Sequence, residues 1–415
     1  MIYLDHAAAT PVSEKVLEAM KPYFSDEFFN PSAAYLPAKK VAHDYEAAKA
    51  TIAHAIGAKA SDLIITAGAT EANNLAFTAI NKRELIDGFS GTGVAPAHRH
   101  GRSAPSSSVV TSGHPLETST SSRVLYLVTE HDSVRRVAEQ YGGKAIGVLP
   151  NGLIDLADLK AKITDDTELI SVSLANNELG TIQPLAEIAA IIREVKLDRM
   201  KRGIKKQLLL HSDASQALNL LDINVARLGV DLLTLNAAKV YGPKGVGVLY
   251  VSHDAKLKPL TVGGGQENGL RSGTENVPGI IGFAKAVELA KEHLNGNRKK
   301  YASWRKILIN ELQGYELINK NHSLDNFIVI CYNNIDAERL VFLLEEKGVY
   351  VATGAACAAS KGIRSHVLKA IGLSDEQIAG SLRLTLGETN TKEQVYEAAK
   401  IINTIVKQEQ NRLKN

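Results

Sequence analysis

Lys239 and Asp213 have the residue types and positions that suit a cofactor carrying an aldehyde and a pyridine ring. Lys239 follows a short apolar run and precedes a glycine-rich stretch. A lysine there can form a Schiff base if its surroundings keep the amine partly neutral. Asp213 ends another apolar run, where a carboxylate can hold a protonated pyridine nitrogen, and Gln216 could donate to a ring oxygen. Taken singly, the lysine could simply be exposed and the aspartate could cap a helix.

Two further strand ends could complete such a site. Gly68, after the run 63–66, is placed to open a helix whose free N–H groups attract a phosphate, and Thr70 adds a hydroxyl. A capping box or a simple turn is the alternative interpretation. His131 could stack on a cofactor ring and move protons, although a lone histidine is more often structural.

Cys357 is the candidate nucleophile. It lies among small residues in 353–362, which predicts an accessible loop, and Lys361 and Arg364 could lower its pKa. The alternative is a small residue packed in a tight turn. Cys331, in the apolar run 327–332, is predicted to be inert core.

Arg383 places a charge inside an apolar segment, 381–387. An arginine in such surroundings usually has a carboxylate partner. That partner could be the α-carboxylate of a substrate or an internal Asp or Glu.

The elements that must position these residues alternate between strand and helix. Short apolar runs at 63–66, 124–128, 169–174, 208–210 and 232–235 are typical of strands buried on both faces of a parallel sheet. Helical periodicity separates them, which predicts a doubly wound α/β domain with its ligands at the carboxyl ends of the strands. After residue 263 the pattern predicts a second, smaller α/β domain.

Composition excludes several classes of protein. The 415 residues are 45% hydrophobic and 22% charged with a net charge of +3, so neither a membrane span nor direct nucleic-acid binding is expected. Two cysteines are too few for a disulfide scaffold, and with no signal-like start we expect a cytoplasmic location.

A Ser-rich stretch, 88–122, is predicted to be a flexible insertion. Its histidines, His98, His100 and His114, lack strict ligand spacing, so a solvated loop is favoured over a metal site, and none is predicted elsewhere. The basic run 196–206 is interpreted as a solvated helix end, although contact with RNA is the alternative.

The whole pattern resembles the cysteine desulfurases of the NifS/IscS type, within the class V aminotransferases and the pyridoxal phosphate (PLP)-dependent fold type I. The resemblance runs from about Tyr3 to Gly387. Its motifs lie at 68–74, 129–131, 176–180, 213–216, 239–245, 263–267 and 271–276.

The resemblance implies a role for each matching position. Cys357, Lys239 and His131 would be catalytic, with Lys239 forming the Schiff base to PLP and Cys357 accepting the sulfur. Asn177 and Arg383 would bind the substrate carboxylate. The cofactor would also be held by the following residues: Ala69, Thr70, His131, Asp213, Gln216, Asn236 and, reaching the phosphate of a neighbouring subunit, Thr274.

The resemblance also implies a domain division and partners. A large PLP-binding domain would span 13–262, and a small domain with the cysteine loop would comprise 1–12 and 263–415. A homodimer would take sulfur from L-cysteine and pass it to an iron–sulfur scaffold protein or a tRNA-thiolating enzyme.

The chain departs from the family pattern beside the lysine. Asn236 and Ala238 stand where a serine and a histidine usually help to hold the cofactor phosphate, and Glu388 stands where a basic residue is common. Losing one such hydrogen bond would weaken cofactor binding by roughly 1–3 kcal/mol. Two alternatives therefore stay open: another class V enzyme, such as a selenocysteine lyase or an aminotransferase, and a non-catalytic paralogue that acts as a binding partner.

Overall fold

A seven-stranded, mainly parallel sheet forms the centre of the molecule. The structure, a computed structural model, describes residues 1–80, 122–354 and 364–414. The sheet has the order β2-β8-β7-β6-β5-β3-β4, and only β8 runs antiparallel to its neighbours. Its strands are β2 (Leu63–Thr66), β3 (Val124–Leu127), β4 (Lys144–Ile146), β5 (Leu169–Ser171), β6 (Leu209–Asp213), β7 (Leu232–Asn236) and β8 (Gly247–Val251).

The sheet is buried on both faces, as its continuous apolar runs predict. Adjacent residues of one strand, such as Leu209 and Leu210, belong to different apolar clusters on opposite faces. The helices in chain order are α1 (Glu14–Met20), α2 (Pro22–Ser25), α3 (Leu36–Ala55), α4 (Ala69–Ala76), α5 (Asp132–Gln140), α6 (Leu156–Lys162), α7 (Leu185–Lys201) and α8 (Val225–Leu228). In this doubly wound arrangement the parallel strands present their carboxyl ends at one edge.

A smaller antiparallel sheet lies in the C-terminal part, with the order β12-β13-β10-β9. Its strands are β9 (Glu316–Leu317), β10 (Phe327–Cys331), β12 (Ala352–Thr353) and β13 (Ser381–Thr385). The helices there are α9 (Val277–Glu311), α10 (Ala337–Glu346), α11 (His366–Ala370), α12 (Asp375–Ala379) and α13 (Lys392–Lys414).

The first residues of the chain join this C-terminal part. The strand β1 (Ile2–Tyr3) pairs in parallel with β11 (Val349–Tyr350). The α9 helix packs against α1 and α3 on one side and α13 on the other, and a single apolar cluster includes residues of both sheets. The division at residues 12 and 262 therefore stays a prediction.

The sequence located most elements to within a few residues, with three differences. The run 169–174 forms a strand only to Ser171, the run 208–210 continues as a strand to Asp213, and the pattern gave no prediction of β4 or β8 in the large sheet. Cys331 is buried as predicted, and burial raises its pKa. Within the described ranges, every helix is too short or too polar to traverse a bilayer.

Candidate active site

A cavity of about 620 Å³ lies at the carboxyl ends of the parallel strands. Residues from both sheets and from the start of the chain line it, including Ala7, Ala8 and Glu178. Most of the residues singled out from the sequence also line it: Ala69, Thr70, His131, Asn177, Asp213, Gln216, Asn236, Lys239 and Arg383. The structure thus brings together side chains that are up to about 300 positions apart in the sequence.

Lys239 ends a single 3-10 turn that follows β7. Its Nζ donates to the carbonyls of Ala7 at 2.8 Å and Ala8 at 2.5 Å. Gln216 Nε2 donates to the same Ala7 carbonyl at 3.0 Å. The chain start therefore forms the wall that orients the amine of Lys239 towards the cavity.

Asp213 ends β6 and is 8% exposed. Its Oδ2 accepts from Asn73 Nδ2 at 2.8 Å, and its Oδ1 accepts from the backbone N–H of Ser215 at 2.9 Å. The carboxylate holds two hydrogen bonds at a fixed orientation, because one comes from a buried amide and the other from the main chain.

The start of α4 supplies the anion-binding end of the cavity. Gly68 precedes the helix with φ +143°, in the region that favours glycine. A Cβ on Gly247 would lie 2.5 Å from the carbonyl carbon of Gly68, so β8 can pass this turn only because residue 247 is a glycine. Ala69 and Thr70 follow as the first helical residues, with their backbone N–H groups at the positive end of the helix dipole.

Arg383 has an internal carboxylate partner. It lies on β13, is 3% exposed, and donates from Nη2 to Asp5 Oδ1 at 2.6 Å and from Nη1 to the Asn177 carbonyl at 2.8 Å. Its Nε has no partner among the described residues. Of the two alternatives that the sequence leaves open, the internal one is present in this structure, and the substrate role stays a prediction.

Two acids at the cavity, the buried Glu130 and the half-buried Glu178, have strongly shifted pKa values. Burial, reinforced by the nearby Asp213, raises the pKa of Glu130 to about 8. Burial raises the pKa of Glu178 to about 7, although the Ser365 hydroxyl and the charge of Arg383 act in the opposite direction. Ser365 Oγ donates to Glu178 Oε2 at 2.5 Å.

Cys357 lies outside the described residues, but the residues that follow its segment line the cavity, and the strand before it pairs with a strand of the cavity wall. On the N-terminal side, Ala352 pairs with Arg383 in the register of β12 and β13. On the C-terminal side, Ser365 and His366 line the cavity, and His366 Nε2 lies 3.0 Å from the Glu130 carbonyl. Burial lowers the pKa of His366, which favours the neutral imidazole.

The residues beside Lys239 form a second, smaller cavity. Asn236 Oδ1 accepts from the Ala238 N–H at 3.1 Å and so caps the turn. Asn236 and Ala238 also line a neighbouring cavity of about 520 Å³, together with the start of α4. Thr274 is exposed and lies outside the residues that line either cavity. His98, His100, His114 and Lys361 lie outside the described residues.

Sequence reasoning missed several residues of the site. Asn73, Ser133 and the acids Glu130 and Glu178 carried no assigned role, although three of the four stand in or beside quoted motifs. The sequence shows only that these residues lie near predicted strand ends. That position does not reveal whether a side chain is buried or which residue it contacts. Asp5 is a further omission, because its partner is 378 positions away.

The fold and the cavity define the class first: this is an α/β enzyme of the PLP-dependent fold type I. The family model for aminotransferase class-V matches residues 2–88 and 101–397. The chain therefore belongs to the class-V aminotransferase family, whose members depend on PLP.

Individual relatives show which members of this family the chain is similar to. The chain is 36% identical to the cysteine desulfurase IscS of Methanosarcina thermophila over 99% of this chain and 93% of that protein. A solved NifS-like protein superposes with a TM-score of 0.81 at 29% identity, covering 98% of this chain and 99% of the other. The structure of SspA in complex with cysteine has a TM-score of 0.74 at 30% identity, covering 93% and 99%.

The residues of the cavity fit PLP. An amine on Lys239, a carboxylate on Asp213 and the N-terminus of α4 surround one cavity, and they match the aldehyde, the ring nitrogen and the phosphate. The Ser215 hydroxyl, next to Asp213, has no hydrogen-bond partner among the described residues. Ala238, in contrast, contributes no side-chain hydrogen bond to this site.

Proposed function

We propose that this protein is a cysteine desulfurase, which converts L-cysteine to L-alanine and leaves the sulfur as a persulfide on Cys357. The observation that carries the proposal is that one cavity is lined by Lys239, by Asp213 and by the residues that follow the Cys357 segment, Arg364, Ser365 and His366. A PLP enzyme that moves an amino group needs the first two, but it has no need of a cysteine-bearing segment at the cavity.

Different residues of the cavity would hold different parts of the cofactor. Lys239 would attach the cofactor, Asp213 would accept a hydrogen bond from its ring nitrogen, and Ala69 and Thr70 would hold its phosphate. Gln216 and Asn236 would contact the ring and the phosphate, respectively. When bound, the cofactor withdraws electrons from the bonds at Cα and Cβ of an amino acid attached to it.

Lys239 is the group we assign to proton movement at Cα. Its Nζ lies in the cavity wall, held by two backbone carbonyls, so it stays within the site when it is released from the cofactor.

Cys357 is the residue to which we assign sulfur acceptance. It is the third residue after Gly354, whose N–H donates to the Ser381 carbonyl at 3.2 Å on β13. Three residues span at most about 11 Å when extended, and β13 carries Arg383 in the cavity wall. The thiolate would form an S–S bond with the substrate sulfur while the C–S bond breaks. The electron pair of that bond goes to Cβ, which takes up a proton to give alanine.

L-Cysteine is the substrate that this chemistry requires. The solved SspA structure contains cysteine, and its chain is 30% identical to this one. Asn177 and Arg383 would bind the substrate carboxylate.

The proposal includes a second copy of the chain and a protein that accepts the sulfur. A homodimer would bring the exposed Thr274 of one subunit to the phosphate site of the other. The persulfide would pass to an iron–sulfur scaffold protein or a tRNA-thiolating enzyme. A cytoplasmic location agrees with a reactive thiol that has to stay reduced.

The test compares the two cysteines of the chain. Cys357→Ser should retain the visible absorbance of bound PLP and lose alanine and sulfide production from L-cysteine. Cys331→Ser is the matched control, because Cys331 is buried in β10, and it should keep turnover near wild type. Normal sulfide release from Cys357→Ser would contradict the role of Cys357.

Product analysis separates the alternative functions. An aminotransferase would release a keto acid in place of alanine, and a selenocysteine lyase would release alanine from selenocysteine but not from cysteine. A purified protein that binds no PLP, even after incubation with it, would favour the non-catalytic paralogue, whose main support is Ala238.

A further inference from the structure

A buried amide links two proposed cofactor contacts. Asn73 lies one turn into α4, is fully buried, and donates from Nδ2 to Asp213 Oδ2 at 2.8 Å and to Ser133 Oγ at 2.9 Å. The NH₂ group has to face Asp213, because the amide oxygen would repel the carboxylate. Both amide hydrogens are therefore used.

The same amide determines the direction of the next hydrogen bond. Since Ser133 Oγ accepts from Asn73, its own hydrogen is available for His131 Nδ1, which lies 2.8 Å away. The backbone N–H of Ser133 also donates to this nitrogen, at 3.1 Å. With two donors directed at it, Nδ1 carries no proton, and the neutral ring has its hydrogen on Nε2.

We propose that Asn73 is a positioning residue, which orients the Asp213 carboxylate and, through Ser133, holds His131 as a neutral hydrogen-bond donor at Nε2. His131 lines the cavity, so this N–H serves the cofactor or substrate. Because Nδ1 accepts two hydrogen bonds and Nε2 carries a hydrogen, His131 has no free basic nitrogen. This agrees with the assignment of proton removal from the substrate to Lys239. This inference rests on the proposed function and assigns the roles within that same site.

A purely structural role does not explain Asn73. Its Oδ1 is buried without a partner among the described residues, which is unfavourable for folding. An apolar residue of similar size would avoid that cost but would leave Asp213 and Ser133 without their shared donor.

Cofactor affinity is the first test. PLP binding to cofactor-stripped protein, measured by equilibrium dialysis, should weaken about 10- to 100-fold in Asn73→Ala, as expected for loss of a hydrogen bond to a charged group. Thr51→Ala is the control away from the site, because Thr51 Oγ1 donates to the Ala47 carbonyl of its own helix α3, and it should bind within about twofold of wild type. Equal affinity for Asn73→Ala and wild type would overturn the proposal.

The tautomer of His131 is the second test, and it does not depend on turnover. In protein labelled with ¹⁵N-histidine, the His131 signals are assigned by their loss in His131→Gln. Wild type at pH 7.5 should carry the proton on Nε2, and in Asn73→Ala the Nδ1 resonance should shift, because Ser133 Oγ loses the donor that directs its hydrogen to the ring while the Ser133 backbone N–H remains. If Asn73→Ala folds poorly, Ser133→Ala replaces it as the test variant, because it removes only the hydroxyl. The His131 Nδ1 resonance should shift in Ser133→Ala. A protonated Nδ1 in wild type would refute the inference, whereas failure of wild type to bind PLP would refute the proposed function.

Discussion

Replacing Glu130 by Gln should stabilise the protein progressively as the pH rises above neutrality. Glu130 is fully buried beside Asp213, with Ser171 Oγ at 3.4 Å from Oε1. Burial and the charge of Asp213 raise its pKa from 4.5 to about 8. The folded protein therefore keeps a proton that the unfolded chain releases above about pH 4.5, so this residue's stabilisation is lost as the pH rises towards 8.

The size of the effect follows from the difference in bound protons. Between pH 6.5 and 8 the wild type should lose roughly 2 kcal/mol of unfolding free energy in total through Glu130 alone, because the slope of about 1.4 kcal/mol per pH unit falls by half as the pH reaches the pKa. Glutamine does not titrate, so Glu130→Gln should gain about 2 kcal/mol relative to wild type over that range. With an unfolding entropy of roughly 2 cal/mol/K per residue, this corresponds to a Tm difference that grows by about 2 °C.

Scanning calorimetry of cofactor-free protein between pH 6.5 and 8 measures this difference. His211, whose burial lowers its pKa to about 4, titrates below that window. Glu178→Gln is the matched control: because the pKa of Glu178 is about 7, its Tm difference from wild type should level off above pH 7. A Tm difference for Glu130→Gln that stays flat from pH 6.5 to 8 would refute the reasoning, since Glu130 would then already be ionised.

Three further substitutions test other parts of the site. Lys239→Ala should abolish covalent retention of PLP after borohydride reduction, measured by mass spectrometry, and retention on another residue would contradict the assignment. Ser365→Ala removes the cap on Leu368 N–H and the bond to Glu178, so amide exchange over 366–370 should accelerate about tenfold or more; unchanged exchange would mean that these bonds do not hold the start of α11. Gly247→Ala should lower stability by about 1–3 kcal/mol because its Cβ meets the Gly68 backbone; Gly296→Ala, where no atom lies within 4 Å of the added Cβ, is the control and should not destabilise.

Local pattern was enough to predict the fold class and the edge where the site lies. Continuous apolar runs indicate strands buried on both faces, and parallel strands bring their carboxyl ends together. Lys239, Asp213 and His131 could therefore be assigned to one site before any coordinates, and all three line the cavity. The pattern gave no prediction of β4 or β8.

Only the tertiary structure determined which partners the polar groups have. The pairing of Arg383 with Asp5 joins residues 378 positions apart, and the contact of Asn73 with Asp213 joins residues 140 apart. The raised pKa values of Glu130 and Glu178 depend on burial, which arises only when both sheets close around the cavity. The sequence by itself determines periodicity and residue type, because these act over a few neighbouring residues. Hydrogen-bond partners and desolvation depend on how distant segments pack, and so they were decided by the folded structure.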